Sequence, residues 1–439
     1  MKKVVKFGGS SLASAEQFKK VSEIIHADKE RKFVVPSAPG KRNPEDTKVT
    51  DMLYACYALA EEDKDFKAEL QAIKDRYQEI IDGLELKISL EDEFRTIEKN
   101  FKAKAGDNYA ASRGEYLNGI IMATYLGFEF VDAAEVILFD MDGEFDSETT
   151  NRKLRERLAG MEAAVVPGFY GACEDGRVKT FSRGGSDITG SIVARAIKAN
   201  VYENWTDVSG ILLADPRIIY KPEGIETITY KELRELSYMG FDVLHEDAIF
   251  PVRREGIPIN IRNTNIPEDK GTLIVEATCH KPRFTITGVT GKKDFAFVTV
   301  EKDMMNTQVG FCRKVLQVFE DNDISIEHMP SGIDTMTIIV HQDEFAAKEQ
   351  KVISGIHRAV DPDVLELESD IALIAVVGRG MKATRGTSGR IFSSLSHANV
   401  NVKMIDQGSS ELNIIIGVKN DDFEEAIKAI YDIFVTTKL

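Results

Sequence analysis

The chain has 439 residues, 43% hydrophobic and 29% charged, with a net charge of −16 at neutral pH. That length calls for two or three domains, and the composition is that of a globular chain that folds around apolar cores. So acidic a chain is no general binder of nucleic acid or anionic membrane, and any anionic substrate has to meet cations placed locally. Cys56, Cys173, Cys279 and Cys312 are widely spaced. They suggest neither a disulfide framework nor a zinc site, and they fit a reducing cytoplasm.

The N-terminus runs into an apolar stretch, Lys3 to Phe7, that reads as a buried strand, followed by Gly8-Gly9 and a helical pattern from Ser14 to Ile25. No secretory leader is expected there, and no apolar run reaches membrane-spanning length. Phe33-Val34-Val35 reads as a second strand, closed by a turn at Pro36 to Gly40. Leu59, Phe66, Leu70, Ile73, Tyr77 and Ile81 share one face of a long surface helix over 59–81, with another helix near 90–103. Further strands are expected at 135–138 and 164–166. Strands alternating with helices over the first 280 or so residues predict a mainly parallel sheet covered on both faces. The polar stretches at Pro267 to Gly271 and His280 to Arg283 mark the end of that domain.

Beyond it the chain repeats itself. A shift of 76 residues puts Val298 on Ile374, Met305 on Met381, Gly310 on Gly386, Phe319 on Leu395, Ile324 on Val400 and Gly332 on Gly408. Each unit reads strand, glycine loop, amphipathic helix, strand, strand, helix, a ferredoxin-like βαββαβ module. Such a pair is an interaction scaffold or a sensor of a small ligand.

Four motifs carry candidate chemistry. In Lys6-Phe7-Gly8-Gly9-Ser10-Ser11, glycine amides can turn toward a phosphate while Lys6 offers an ammonium; the pattern also reads as a plain turn. In Ser182-Arg183-Gly184-Gly185-Ser186-Asp187, Ser186 or Asp187 can cap the following helix, and Arg183 can clamp a carboxylate. In Trp205-Thr206-Asp207-Val208-Ser209-Gly210, Asp207 suits a metal or a ribose; downstream, Arg217 suits a phosphate. Both stretches also contain ordinary turn residues. In Ser112-Arg113-Gly114-Glu115, Glu115 is either a helix-start carboxylate or a partner for an amino group, and Thr50-Asp51 is either a cap or a substrate contact.

At these residues, and at Gln407-Gly408-Ser409-Ser410-Glu411, the sequence resembles the aspartokinase branch of the amino-acid kinase family, over nearly its whole length. The resemblance implies a three-layer αβα kinase domain over 1–283 and a regulatory region over 284–439. In the latter, a first ACT module at 294–369 is inserted in a second made of 284–293 plus 370–439. It implies transfer of the ATP γ-phosphoryl to the L-aspartate side chain with Mg²⁺ and no protein metal site, in a cytoplasmic homodimer or dimer of dimers. Lys6, Gly8, Gly9 and Ser10 would hold the phosphates, with Asp187 near Lys6 and the reacting groups. Ser37, Thr50, Glu115 and Arg183 would bind aspartate, and Thr206, Asp207 and Arg217 the nucleotide. Three positions depart from the family pattern: Ser10 stands for threonine, Leu212 for tyrosine, and Asp242 for a phosphate-binding lysine. Another amino-acid kinase, and an amino-acid sensor on a degenerate kinase scaffold, are the competing readings.

The expected effector is L-lysine, bound in the first ACT module. The loop through Met305, Gln308, Val309 and Gly310 would receive its α-carboxylate at a helix start. A strand at 324–328 and the turn beyond it would bring Ile324, Glu327 and Asp334 to the same region, the carboxylates meeting the ε-ammonium.

Overall fold

The computed structural model describes residues 1–437 apart from Arg183, Asp242, Val243, His245 and His280, and only the backbone of Glu246, Asp247 and Ala383. Contacts divide the chain into two compact units. The first comprises Met1–Ile211, Gly224–Tyr230 and Asp242–Thr278; the second comprises Leu212–Glu223, Lys231–Phe241 and Cys279–Leu439. Two stretches that precede residue 283 in sequence therefore group with the second unit.

The first unit contains β1 (Lys3–Phe7), β2 (Arg31–Pro36), β3 (Glu129–Phe130), β4 (Leu138–Phe139), β5 (Ala164–Val165), β6 (Tyr170–Cys173), β7 (Val178–Thr180), β8 (Val201–Thr206), β9 (Thr227–Thr229), β10 (Ile259–Asn263) and β11 (Thr272–Val275). Its main sheet has the order β3-β5-β2-β1-β8-β10-β11-β9. Every pairing is parallel except β10 with β11, and β4, β6 and β7 form a separate small sheet. The central strands are apolar because helices cover both faces of a parallel sheet: Val4, Val5, Phe7, Val34 and Val35 are fully buried.

β1 and β8 pair in register, Lys6 opposite Asn204 and Phe7 opposite Trp205. Beneath that register lies a buried ion pair. Glu203 accepts from Arg31 Nε at 2.8 Å and from Trp205 Nε1 at 2.9 Å, and the Arg31 guanidinium lies 5.1 Å from the Trp205 ring. A charge so deep in the protein is tolerable only when paired and hydrogen-bonded, so this network fixes β8 against β1.

The single helix expected over 59–81 is two helices, Val49–Glu61 and Lys67–Gly83. Acidic Glu61 and Glu62 at a helix C-terminus oppose the helix dipole, and Asp63 adopts φ +56°, so the chain breaks and re-enters the core through Phe66. Nor does it lie on the surface, since Ile73, Tyr77 and Ile81 sit in the core of the unit. The strand expected at 135–138 is a helical turn, Ala133–Val136, capped by the Asp132 carboxylate, and only Leu138 and Phe139 extend. The expected domain end at 267–271 is a turn inside the sheet, because β11 follows it.

The second unit contains β12 (Gly288–Glu301), β13 (Thr335–His341), β14 (Val364–Val377), β15 (Met404–Asp406) and β16 (Asn413–Lys419), an antiparallel sheet ordered β13-β12-β14-β16-β15. β12 and β14 pair from Gly288 opposite Val377 to Glu301 opposite Val364, with a register shift between Lys292 and Phe297. Each therefore serves both sequence repeats. Helices Phe311–Glu320 and Glu349–Val360 accompany the first repeat, and Thr387–His397 and Phe423–Tyr431 the second. The strand expected at 324–328 is reduced to isolated bridges, His328 with Ile339 and Ser331 with Met336, because Pro330 has no N–H to continue the ladder. Among the described residues, no helix is long and apolar enough to cross a membrane.

Candidate functional site

The carboxyl ends of β1 and β2 open onto a cavity of about 550 Å³. In open α/β sheets this end of the strands is where ligands bind. Two turns form its floor. Gly40 N–H donates to Gly9 O at 2.8 Å, and Ser37 N–H donates to Phe7 O at 3.0 Å. Both glycines are required by this approach: a Cβ on Gly9 would lie 2.9 Å from Ala38 O, and one on Gly40 would lie 2.6 Å from Gly9 C. Ser10, Ser37, Thr50 and Asp207 line the same cavity. Sequence reasoning passed over Lys41 and Lys48, which also line it and add positive charge.

Glu115 reaches the cavity from the interior of the long helix Asp107–Leu126, not from a helix start as expected. The approach depends on Gly114, where a Cβ would meet Ala38 Cβ at 2.8 Å. Glu115 is 6% exposed and accepts the Ala38 N–H, while its Oε2 has no hydrogen-bond partner among the described residues. Burial pushes the carboxyl up to about 8, against the opposing effects of the Ala38 amide, Lys6 and Arg113. The open oxygen leaves a buried polar atom free to bond a group that enters the cavity. One turn on, Asn118 Nδ2 donates to Ser37 O at 2.7 Å and steadies the opposite wall. Nothing in the sequence motif pointed to Asn118.

Lys6 sits just before the first glycine turn, its Nζ 3.6 Å from where a Gly8 Cβ would stand. It pairs with Asp187 Oδ1 at 2.6 Å. Asp187 lies in the first turn of the helix Gly185–Ile197, whose N-cap is Gly184, so neither Ser186 nor Asp187 serves as the cap. Asn204, which the motif reading also passed over, donates from Nδ2 to Asp187 Oδ1 at 2.9 Å. Its signal in sequence is a buried polar residue directly before Trp205. Thr206 donates to the Asp207 carboxylate at 3.3 Å. Arg217 belongs to the second unit, where it forks onto Asp215. Arg183 and Asp242 lie outside the described residues.

The second unit holds the expected effector residues. Met305 and Ile324 pack into the core of the first repeat, while Val309 is fully exposed. Gly310, at φ +83°, caps the helix that starts at Phe311. Glu327 is engaged: His341 Nε2 lies 3.2 Å away and the Tyr238 hydroxyl is hydrogen-bonded to it. Asp334 and Gln308 are exposed.

Comparison with known proteins gives the site its context. Residues 1–263 match the model of the amino acid kinase family, and residues 374–434 that of the ACT domain. Aspartokinase 3 of Bacillus subtilis is 39% identical over 449 residues, covering 98% of both chains. The crystal structure of Clostridium acetobutylicum aspartate kinase is 50% identical with a TM-score of 0.89, covering 99% of this chain and 100% of that one. Escherichia coli aspartokinase III, solved in complex with aspartate and ADP, shares the fold at a TM-score of 0.72 with 22% identity over 99% of each chain.

The Glu115 environment predicts a pH effect on stability. An unfolded glutamate titrates near ~4.3, whereas the folded group holds its proton to about 8. The unfolded chain thus sheds this proton first, and stability is lost as pH rises between those values. Glu115→Gln should therefore lose less stability than the wild type between pH 5 and pH 8, by on the order of 3 kcal/mol. Denaturant titrations across that range check it, and parallel curves for the two proteins would contradict it.

Proposed function

Because the chain belongs to the aspartokinases of the amino acid kinase family, we propose that it transfers the γ-phosphoryl of ATP to the β-carboxylate of L-aspartate, giving 4-phospho-L-aspartate and ADP. The observation that carries this reading is the open Oε2 of buried Glu115 in a cavity floored by the two glycine turns, with Lys6 just before the first of them. Glu115 receives the ammonium of aspartate, Ser37 and Thr50 bond its carboxylates, and Arg183 clamps the α-carboxylate. The amides at Gly9 and Ser10 hold the phosphates, the Gly8 N–H being already donated to Trp205 O at 3.0 Å; Thr206 and Asp207 contact the rest of the nucleotide.

The nucleophile is a carboxylate with an ordinary pKa of about 3.9, so it is already ionised and needs no general base. The obstacle is electrostatic, since an anion must approach a polyanion in a chain of net charge −16. Catalysis is then positioning plus neutralisation by Lys6, the turn amides and the cations along the cavity rim. Mg²⁺ is bound mainly through substrate phosphates with one or two carboxylates. Asp207, which lines the cavity, suits it, and the ion would offset the phosphate charge. The reaction opens lysine, threonine and methionine biosynthesis in the cytoplasm.

An acyl phosphate is a mixed anhydride that hydroxylamine captures as a hydroxamate. With L-aspartate the protein should yield aspartyl hydroxamate in step with ADP, and with L-glutamate almost none. ADP release without hydroxamate, or equal use of glutamate, would refute the acceptor.

L-Lysine inhibits through the first repeat of the second unit. Its α-carboxylate meets the loop at Gln308 to Gly310, and its ε-ammonium meets Asp334, the exposed one of the two expected carboxylates. Glu327 reaches the same ligand only by giving up His341 or Tyr238. Exposed Met304, Val309 and Ile333 suit the pairing of this repeat with a second copy, as a homodimer or a dimer of dimers. Near-complete inhibition requires lysine to favour the inactive state by about 5.5 kcal/mol. Asp334→Ala should raise the half-inhibitory lysine concentration at least ~10-fold and leave uninhibited turnover unchanged, roughly the loss of one charge-assisted contact. Inhibition by threonine alone would overturn the effector, and an unchanged lysine response in Asp334→Ala would overturn the contact.

A further inference from the structure

Asn204 is 4% exposed on β8, in register with Lys6 on the neighbouring parallel strand. Its Nδ2 donates to Asp187 Oδ1 at 2.9 Å, the same oxygen that holds Lys6 Nζ at 2.6 Å. Its Oδ1 lies 3.5 Å from Lys6 Nζ, the outer limit of a hydrogen bond. One amide thus touches both partners of the ion pair, and the strand register sets its distance from Lys6.

We propose that Asn204 is a positioning residue for the phosphoryl transfer, holding Asp187 in place while the Lys6 ammonium turns from that carboxylate toward the transferring phosphoryl. This rests on the reading above that Lys6 and Asp187 face the reacting groups. An ammonium has three donors, and at 2.6 Å Asp187 holds one of them tightly. Donation by the Asn204 amide stabilises the charge on Asp187 Oδ1 independently of Lys6, so the ammonium can shift without leaving that oxygen bare in a mostly buried setting. The amide oxygen gives Nζ a second, neutral acceptor on the side of β8. An apolar side chain at this position would leave Asp187 Oδ1 to Lys6 alone and hold the cation back in its resting pair. The backbone beside the pair is anchored separately, since the Tyr202 hydroxyl bonds to Asp187 O at 3.1 Å. Removing the Asn204 amide therefore leaves the main-chain position of Asp187 supported.

The test is a double-mutant cycle on the full chain with turnover and both KM values measured. Asn204→Leu, with the same heavy-atom branching but no hydrogen bonds, should lower kcat at least ~10-fold while KM for ATP and for aspartate stay within about two-fold. In an Asp187→Asn background the same substitution should cost almost nothing more, because the two residues act through one contact. Asn204→Ala, which cannot overpack the site, is measured alongside with thermal midpoints for every variant. A kcat within two-fold of wild type, a loss that multiplies in the double variant, or failure of both Asn204 variants to fold would overturn the positioning role. Wild-type turnover in Asp187→Asn alone would instead remove the ion pair from the reaction, a distinct failure.

Discussion

A cation at the end of β1 is the constraint from which the rest of the first unit follows. Lys6 stands on a parallel strand, nine-tenths buried, where an ammonium without a partner would be costly. Asp187 supplies the partner from the first turn of a helix, where a carboxylate is favoured by the helix dipole. That pairing requires β1, β8 and the start of the helix Gly185–Ile197 to meet within a few ångströms. The Arg31–Glu203–Trp205 network on the opposite face of β8 holds the strand for it. The glycine turns then follow, because only residues without a Cβ let the backbone at Gly9 and Gly40 close over the strand end. Electrostatics thus sets the position of the site, and sterics sets its shape.

The second unit solves a different problem. Two repeats of about 75 residues each offer a small core, and here they share β12 and β14 instead of standing as separate beads. The register shift between Lys292 and Phe297 lies where the strand passes from one repeat to the other. Each shared strand thus runs as one continuous backbone through both repeats, Gly288–Glu301 in β12 and Val364–Val377 in β14. Glu232 illustrates how closely this unit is tied together. Fully buried in the helix Tyr230–Tyr238, it bonds the Arg379 guanidinium at 3.0 Å and the Thr287 hydroxyl at 2.5 Å.

Much of this was legible in the sequence because period and glycine placement are local signals. β1, the helix after Ser14 and the 76-residue repeat all follow from hydrophobic spacing, and the Gly8-Gly9 turn lies where its motif puts it. What the sequence concealed depends on distant partners. Asn204 and Asn118 act through contacts 17 and 81 residues away, which no local pattern records. Glu115 looked like a helix-start carboxylate because its own surroundings carry no sign that Asp107 begins the helix. The missing strand at 324–328 is the reverse case: the apolar alternation is present, yet Pro330 removes the donor that would have extended it.

The proposed transfer depends above all on Lys6 as the ammonium that neutralises the transferring phosphoryl. The most direct measurement is single-turnover phosphoryl transfer to L-aspartate by Lys6→Ala, with nucleotide binding and thermal unfolding followed on the same preparation. The expected result is a folded protein that still binds ATP but transfers at least ~100-fold more slowly, a loss of roughly 3 kcal/mol in transition-state stabilisation. A folded Lys6→Ala protein that transfers phosphoryl at close to the wild-type rate would contradict it.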